Sequence, residues 1–156
     1  MTDVHSKPVR RKNMKAVRAK NTKPELLVRK LLHGAGYRYR LHVKNLPGTP
    51  DIVLPKYKVV IFVHGCFWHM HDCALFRLPA TRTDWWRQKL TENRLRSEAA
   101  EDFLRELGWR VVIVWECSLK GQAKLEPGDV LDKFTSWLSG STSFLEIPES
   151  KFSSLI

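Results

Sequence analysis

Leu26, Leu27, Leu31 and Leu32 recur one, four and five residues apart, a spacing that predicts a helix in the first third of the chain. Asn21 and Thr22 are cap-type residues, Pro24 suits a first helical turn, and Gly34 and Gly36 stop the helix. A strand is expected over residues 37–42. Pro47, Gly48 and Pro50 mark a turn. A short strand is expected at 51–54, and the β-branched run 58–63 fits a buried central strand. Residues 65–79 are irregular and rich in Cys, His and aromatic side chains. Thr83 is placed to cap a long helix that Gly108 ends. Val111, Val112, Ile113 and Val114 predict another buried strand over 109–115. A turn at Pro127 and Gly128 precedes a last helix over 129–138. The order helix, three strands, long helix, strand, helix indicates an α/β domain with a mixed sheet.

The ends are patterned differently. Residues 1–20 carry Lys7, Arg10, Arg11, Lys12, Lys15, Arg18 and Lys20 among few apolar residues, and look like a basic arm. The expected organisation is an arm over 1–20, one domain over 21–139 and a weakly patterned tail over 140–156. At 156 residues one domain is the default, and a core of this size needs no disulfides.

Charge narrows the partners. Lys and Arg total 27 against 16 Asp and Glu, a net charge of +11, which favours a polyanion such as nucleic acid or an acidic membrane surface. No apolar run approaches the ~18 residues of a membrane helix, and the basic N-terminus lacks the apolar stretch of a secretory signal. A cytoplasmic location is therefore expected, where cysteines stay reduced and metal binding outranks disulfide formation.

Cys66, His71 and Cys73 fall within eight residues, and Cys117 lies just past a predicted strand. Three thiolates and one imidazole make a tetrahedral set suited to structural zinc. His5, His33, His42, His64 and His69 are also available, so the imidazole is less firmly assigned than the thiolates. Asp51 opens a strand after a turn and faces a basic surface, as a magnesium ligand would. His64 and His69 are candidate general bases, and Glu25 sits in the first helical turn. The alternatives are structural: Glu25 complementing a helix N-terminus, Asp51 capping a turn. Phe67 and Trp68 lie between zinc ligands. Trp86, Lys89 and Asn93 share one helical face, suited to stacking on bases and contacting base edges or phosphates.

Together these stretches resemble the very-short-patch mismatch-repair endonucleases. The similarity runs through Lys12-Asn13-Met14, Pro47-Gly48-Thr49-Pro50-Asp51, the block IFVHGCFWHMHDC from Ile61 to Cys73, Pro79-Ala80-Thr81-Arg82-Thr83, Gly108-Trp109-Arg110-Val111 and Val114-Trp115-Glu116-Cys117. The resemblance implies a restriction-endonuclease-like fold, a central mixed sheet flanked by helices with a structural zinc site. It implies nicking of double-stranded DNA beside the thymine of a T·G mismatch left by 5-methylcytosine deamination. By the same resemblance, Asp51 and the Val63 carbonyl would hold catalytic Mg2+ and His69 would be the general base. His64 and Glu25 would support the cation's water shell and the phosphate. Cys66, His71, Cys73 and Cys117 would hold Zn2+. Phe67, Trp68 and Trp86 would wedge beside the mismatch from the major groove and Met14 from the minor groove, with Lys89 and Asn93 close to the pair. A bacterial-type, nucleoid-associated monomer is expected, with other mismatch-repair proteins as candidate contacts. The wider superfamily follows its Pro-Asp with an acidic-x-Lys pattern. Here Phe62-Val63-His64 stands in its place, so water and DNA phosphate would complete the magnesium shell. Two other readings share the charge and the zinc: a DNA-binding module without catalysis, and a restriction enzyme cutting matched DNA.

Overall fold

The computed structural model describes residues 20–150. Met14 and nearly all of the basic arm lie outside them. Helix α1 spans Lys23–Gly34, where Thr22 caps as expected: its Oγ1 accepts from the Glu25 N–H at 3.3 Å. The buried face of α1 is Glu25, Val28 and Leu32, while Leu26 is 45% exposed. The stripe read from the leucines is thus rotated toward Val28, and it carries an acid at its N-terminal end.

Strands β1 (Arg40–Leu41), β2 (Ile52–Leu54) and β3 (Val59–His64) follow, joined between β2 and β3 by a 3-10 turn at Pro55–Tyr57. Helix α2 spans Thr83–Glu106, β4 spans Arg110–Trp115, α3 spans Pro127–Leu138 and β5 spans Phe144–Ile147. The five strands form one sheet in the order β1-β2-β3-β4-β5. The pairs β1–β2 and β2–β3 are antiparallel, β3–β4 and β4–β5 parallel, so the expected mixed sheet is present. The two central strands are almost wholly buried, as parallel strands covered on both faces should be. Side-chain alternation divides the core. Val59, Ile61, Val112 and Val114 pack with Val28, Leu32, Val130 and Phe134 on the α1–α3 face. Val60, Phe62, Val111, Ile113 and Trp115 pack with Leu104 of α2 on the other.

Three local expectations change. Thr83 is the first residue of α2 and not its cap. The cap position is Arg82, left-handed at φ 55°, while the Thr83 hydroxyl donates back to the Pro79 and Ala80 carbonyls at 2.8 and 3.0 Å. Helix α3 begins at Pro127, since proline lacks only an N–H that a first turn leaves unused. Residues 144–147, expected within a weakly patterned tail, form β5: Ile147 is 1% exposed, and Glu146 Oε1 accepts from Trp115 Nε1 at 3.0 Å. Phe-Leu-Glu-Ile has neither alternation nor β-branched residues at its start, which hid the strand. Among the described residues no helix is long and apolar enough to cross a membrane.

Candidate active site

Two donor clusters flank the C-terminal end of β3. The first joins Glu25 from α1, His42 just after β1 and Asp51 just before β2, with ligand atoms all within 4.8 Å of one another. Glu25 is 2% exposed, so its charge must be compensated locally. Its Oε1 lies 2.8 Å from His42 Nε2, and its Oε2 accepts from the Asn21 N–H at 2.8 Å and forms a short ion pair with the Arg29 guanidinium. Asp51 Oδ2 accepts from the Val63 N–H at 2.8 Å, and the Asp51 carbonyl accepts from the His42 N–H at 3.1 Å. Burial pushes the Asp51 carboxyl up to about 7; the Val63 N–H pulls the other way, and neighbouring Glu25 adds to the rise. A strand residue's N–H and C=O share an edge, so the Val63 carbonyl faces the same side as the N–H that holds Asp51.

The histidines expected beside Asp51 do not join that cluster. His64 extends from β3 toward α2, where Nε2 lies 3.4 Å from Glu101 Oε1, and its ring stacks on His69 at 3.8 Å between centroids. His69 Nδ1 lies 3.2 Å from Ser97 Oγ. Burial lowers both imidazoles to about 3, with His71 adding to the effect on His64 and His64 to that on His69; both are neutral near pH 7. They line a cavity of about 730 Å³ between α2, the end of β4, β5 and the Cys/His loop. Glu101 also lines it, and burial plus the charges of Glu98 and Asp102 raise its carboxyl to about 7.

The second donor cluster is Cys66, His71, Cys73 and Cys117, again within 4.8 Å of one another. Metal–sulfur and metal–nitrogen bonds of zinc length set donor atoms about 3.5–3.8 Å apart in a tetrahedron. His71 Nδ1 and Cys117 Sγ stand 3.6 Å apart, so the residues fit such an ion. The His71 ring is fixed by stacking on Trp115 at 3.9 Å with planes 7° apart. Burial raises the Cys66 thiol, and raises Cys117 to about 11; a bound cation reverses that preference. Among the described histidines, His71 is the one that stands with the three cysteines.

An aromatic group joins the Cys/His loop to the first turn of α2. Phe67 meets Trp68 at 5.0 Å and Trp86 at 5.4 Å, and Trp68 meets Trp86 at 6.1 Å. All three are half-buried, so they support one another while keeping a solvent-facing surface. On α2 below Trp86, Lys89 is exposed and Asn93 half-buried.

The structure therefore brings together Glu25 with Asp51, the four soft ligands, and the three aromatics. The His64–His69 pair is not part of the Asp51 cluster, although His64 directly follows Val63, whose N–H holds Asp51. His42 was missed as a site residue, as were Ser97 and Glu101. His42 had a signal: the turn at Pro47–Pro50 folds β1 onto β2, which sets residue 42 beside residue 51. Ser97 and Glu101 had only their i, i+4 spacing on α2.

The family model "DNA mismatch endonuclease Vsr" matches residues 2–75. The chain is 44% identical over 147 residues to the DNA mismatch endonuclease Vsr of Escherichia coli (strain K12), an alignment covering 94% of each protein. It is 53% identical over 126 residues to the type II nicking enzyme V.XorIIP of Xanthomonas oryzae pv. oryzae, covering 81% of this chain and 93% of that one. It is 46% identical over 123 residues to the type II nicking enzyme V.NmeAIP of Neisseria meningitidis, covering 79% and 88%. Identity at this level over nearly full length carries the family with it, and the chain belongs to the Vsr family of DNA mismatch endonucleases.

Proposed function

We propose that this endonuclease nicks one strand of double-stranded DNA 5′ to the thymine of a T·G mismatch, by Mg2+-dependent phosphodiester hydrolysis on a restriction-endonuclease-like fold. The observation that carries the reading is the Asp51 carboxylate pinned by the Val63 N–H beside buried Glu25, at the mouth of a sheet whose chain is strongly basic. Asp51 and the Val63 carbonyl hold the magnesium ion. When bound, the ion neutralises charge on the phosphate and acidifies water. Glu25 orients the surrounding solvent and phosphate. His69 is the general base: with Nδ1 directed at Ser97, its Nε2 is the nitrogen left to accept a proton from the attacking water. His64, stacked on it and facing Glu101, keeps that ring in place. Zn2+ on Cys66, His71, Cys73 and Cys117 fixes the loop that bears His69. Phe67, Trp68 and Trp86 enter the stack beside the mismatch, where unstacking costs least. Lys89 and Asn93 contact the mismatched pair.

The test is cleavage of end-labelled duplexes carrying a central T·G pair, T·A or C·G, with varied flanks, with and without Mg2+. One cut in the thymine strand of the T·G duplex, dependent on Mg2+ and lost in Asp51→Ala at retained fold, is expected. Equal cutting of matched DNA, cutting of both strands, or an active Asp51→Ala variant overturns the proposal.

A further inference from the structure

Among the charged clusters outside the assigned roles, the imidazole of His42 is the best placed to act. It contributes the third donor to the Glu25–Asp51 cluster, within 4.8 Å of both carboxylates. Its backbone is held by the same ladder that holds Asp51, since the His42 N–H donates to the Asp51 carbonyl at 3.1 Å. That hold places His42 at φ 48°, a left-handed conformation that non-glycine residues seldom adopt. Its Nε2 lies 2.8 Å from Glu25 Oε1, while the Arg29 Nη2 that approaches it to 3.4 Å already donates to Asn21 Oδ1 and Glu25 Oε2. The Nε–H of Arg29 is buried without a hydrogen-bond partner, so the cluster leaves one polar group unmatched.

We propose that His42 is an imidazole ligand of the cation held by Asp51 beside Glu25, which makes this a mixed nitrogen–oxygen site that favours first-row divalent ions such as Mn2+ and Co2+ over Mg2+. The inference rests on the reading of Asp51 as a cation ligand and adds to it a nitrogen donor. Carboxylate and carbonyl oxygens alone suit hard ions such as Mg2+, whereas an imidazole raises affinity for later first-row ions. Binding through Nε2 sends the proton on that nitrogen to solvent, and the freed Glu25 oxygen turns to the cation's water. Arg29 remains on the other Glu25 oxygen and keeps one unit of positive charge beside the site, which holds affinity down until a phosphate arrives.

The test loads the full chain with zinc first, to occupy the Cys/His cluster, and then adds Mn2+ without DNA. Binding is counted from the free Mn2+ resonance, and electron spin-echo modulation detects nitrogen bonded to the bound ion. Wild type is expected to bind Mn2+ with 14N modulation. In His42→Asn, a residue that tolerates a left-handed backbone, the modulation is lost and Mn2+ Kd rises about tenfold or more, while Mg2+ Kd, from competition, changes less than about threefold. His42→Gln serves as the second variant, and far-ultraviolet circular dichroism checks that both fold. Mn2+ that binds, and is lost in Asp51→Asn, but shows no 14N modulation or keeps it in both His42 variants overturns the role of His42 and leaves the Asp51 site standing. No Mn2+ binding, or binding indifferent to Asp51→Asn, overturns both.

Discussion

Glu101→Gln should stabilise the protein above neutral pH and not below pH 5. The carboxyl sits on α2 against His64 Nε2 at 3.4 Å, with Glu98 and Asp102 on the same helix and Arg105 as its opposing charge. Burial first, and the two acids second, raise it from 4.5 to about 7. A raised carboxyl pKa means that the folded state prefers the protonated form. Its contribution to stability is therefore fully present below pH 4.5 and is lost as pH rises through 7. Full conversion of that rise gives about 3 kcal/mol. The side chain keeps 14% of its exposure, and water reaching it screens the field, so about 1–2 kcal/mol is expected. Gln keeps an oxygen toward His64 and carries no charge to bury. It also relieves Glu146, which burial raises and which Glu101 raises further. Urea unfolding of zinc-loaded wild type and variant at pH 5.0 and 8.5 measures the difference. The variant should gain about 1–2 kcal/mol relative to wild type between the two. A gap that is the same at both pH values, or that moves in favour of wild type at pH 8.5, refutes the reasoning.

Glu25→Ala strands the 13%-exposed Arg29 guanidinium without its carboxylate; a loss of about 3–5 kcal/mol in denaturant unfolding is expected, partly restored by Arg29→Met in the same chain. Cys117→Ser should bind less than one zinc per chain by metal analysis and melt at lower temperature than wild type, because one of four convergent donors is removed. Trp68→Ala keeps its fold by circular dichroism, since the side chain is only half-buried, but loses about 1–3 kcal/mol of preference for T·G over matched duplex in competition binding.

Legibility in the sequence followed the strength of local signals. The runs at 58–63 and 109–115 are continuous and β-branched, and both became central strands. Gly108 ended its helix as expected, at φ 92°. β5 escaped because its pairing to β4 is supplied by tertiary contacts, Glu146 to Trp115 and Ile147 into the core, and not by its own composition. The clustering of Cys66, Cys73 and Cys117 was readable from their spacing, and the structure sets His71 beside them. His42 was readable only through the Pro47–Pro50 turn: no other donor lies near it in sequence, and the β1–β2 pairing and the depth of Glu25 give it partners.

The geometry also says how the two clusters are linked. Val63 carries the N–H that holds Asp51; His64, the next residue, stacks on His69; and Cys66, two further on, is a soft ligand. The loop from Cys66 to Cys73 contains His69 and the aromatics Phe67 and Trp68. It has little core of its own, since of its residues only Cys66 is fully buried. The ion proposed between Cys66, His71, Cys73 and Cys117 would then fix His69 relative to Asp51, together with the stack of His71 on Trp115. A structural metal placed here would act through position and leave the Asp51 cluster intact, because Glu25, His42 and Val63 all reach Asp51 from elements outside the loop. The same argument explains why a short β1 matters: two residues suffice to bring His42 onto Asp51 once the Pro47–Pro50 turn has closed.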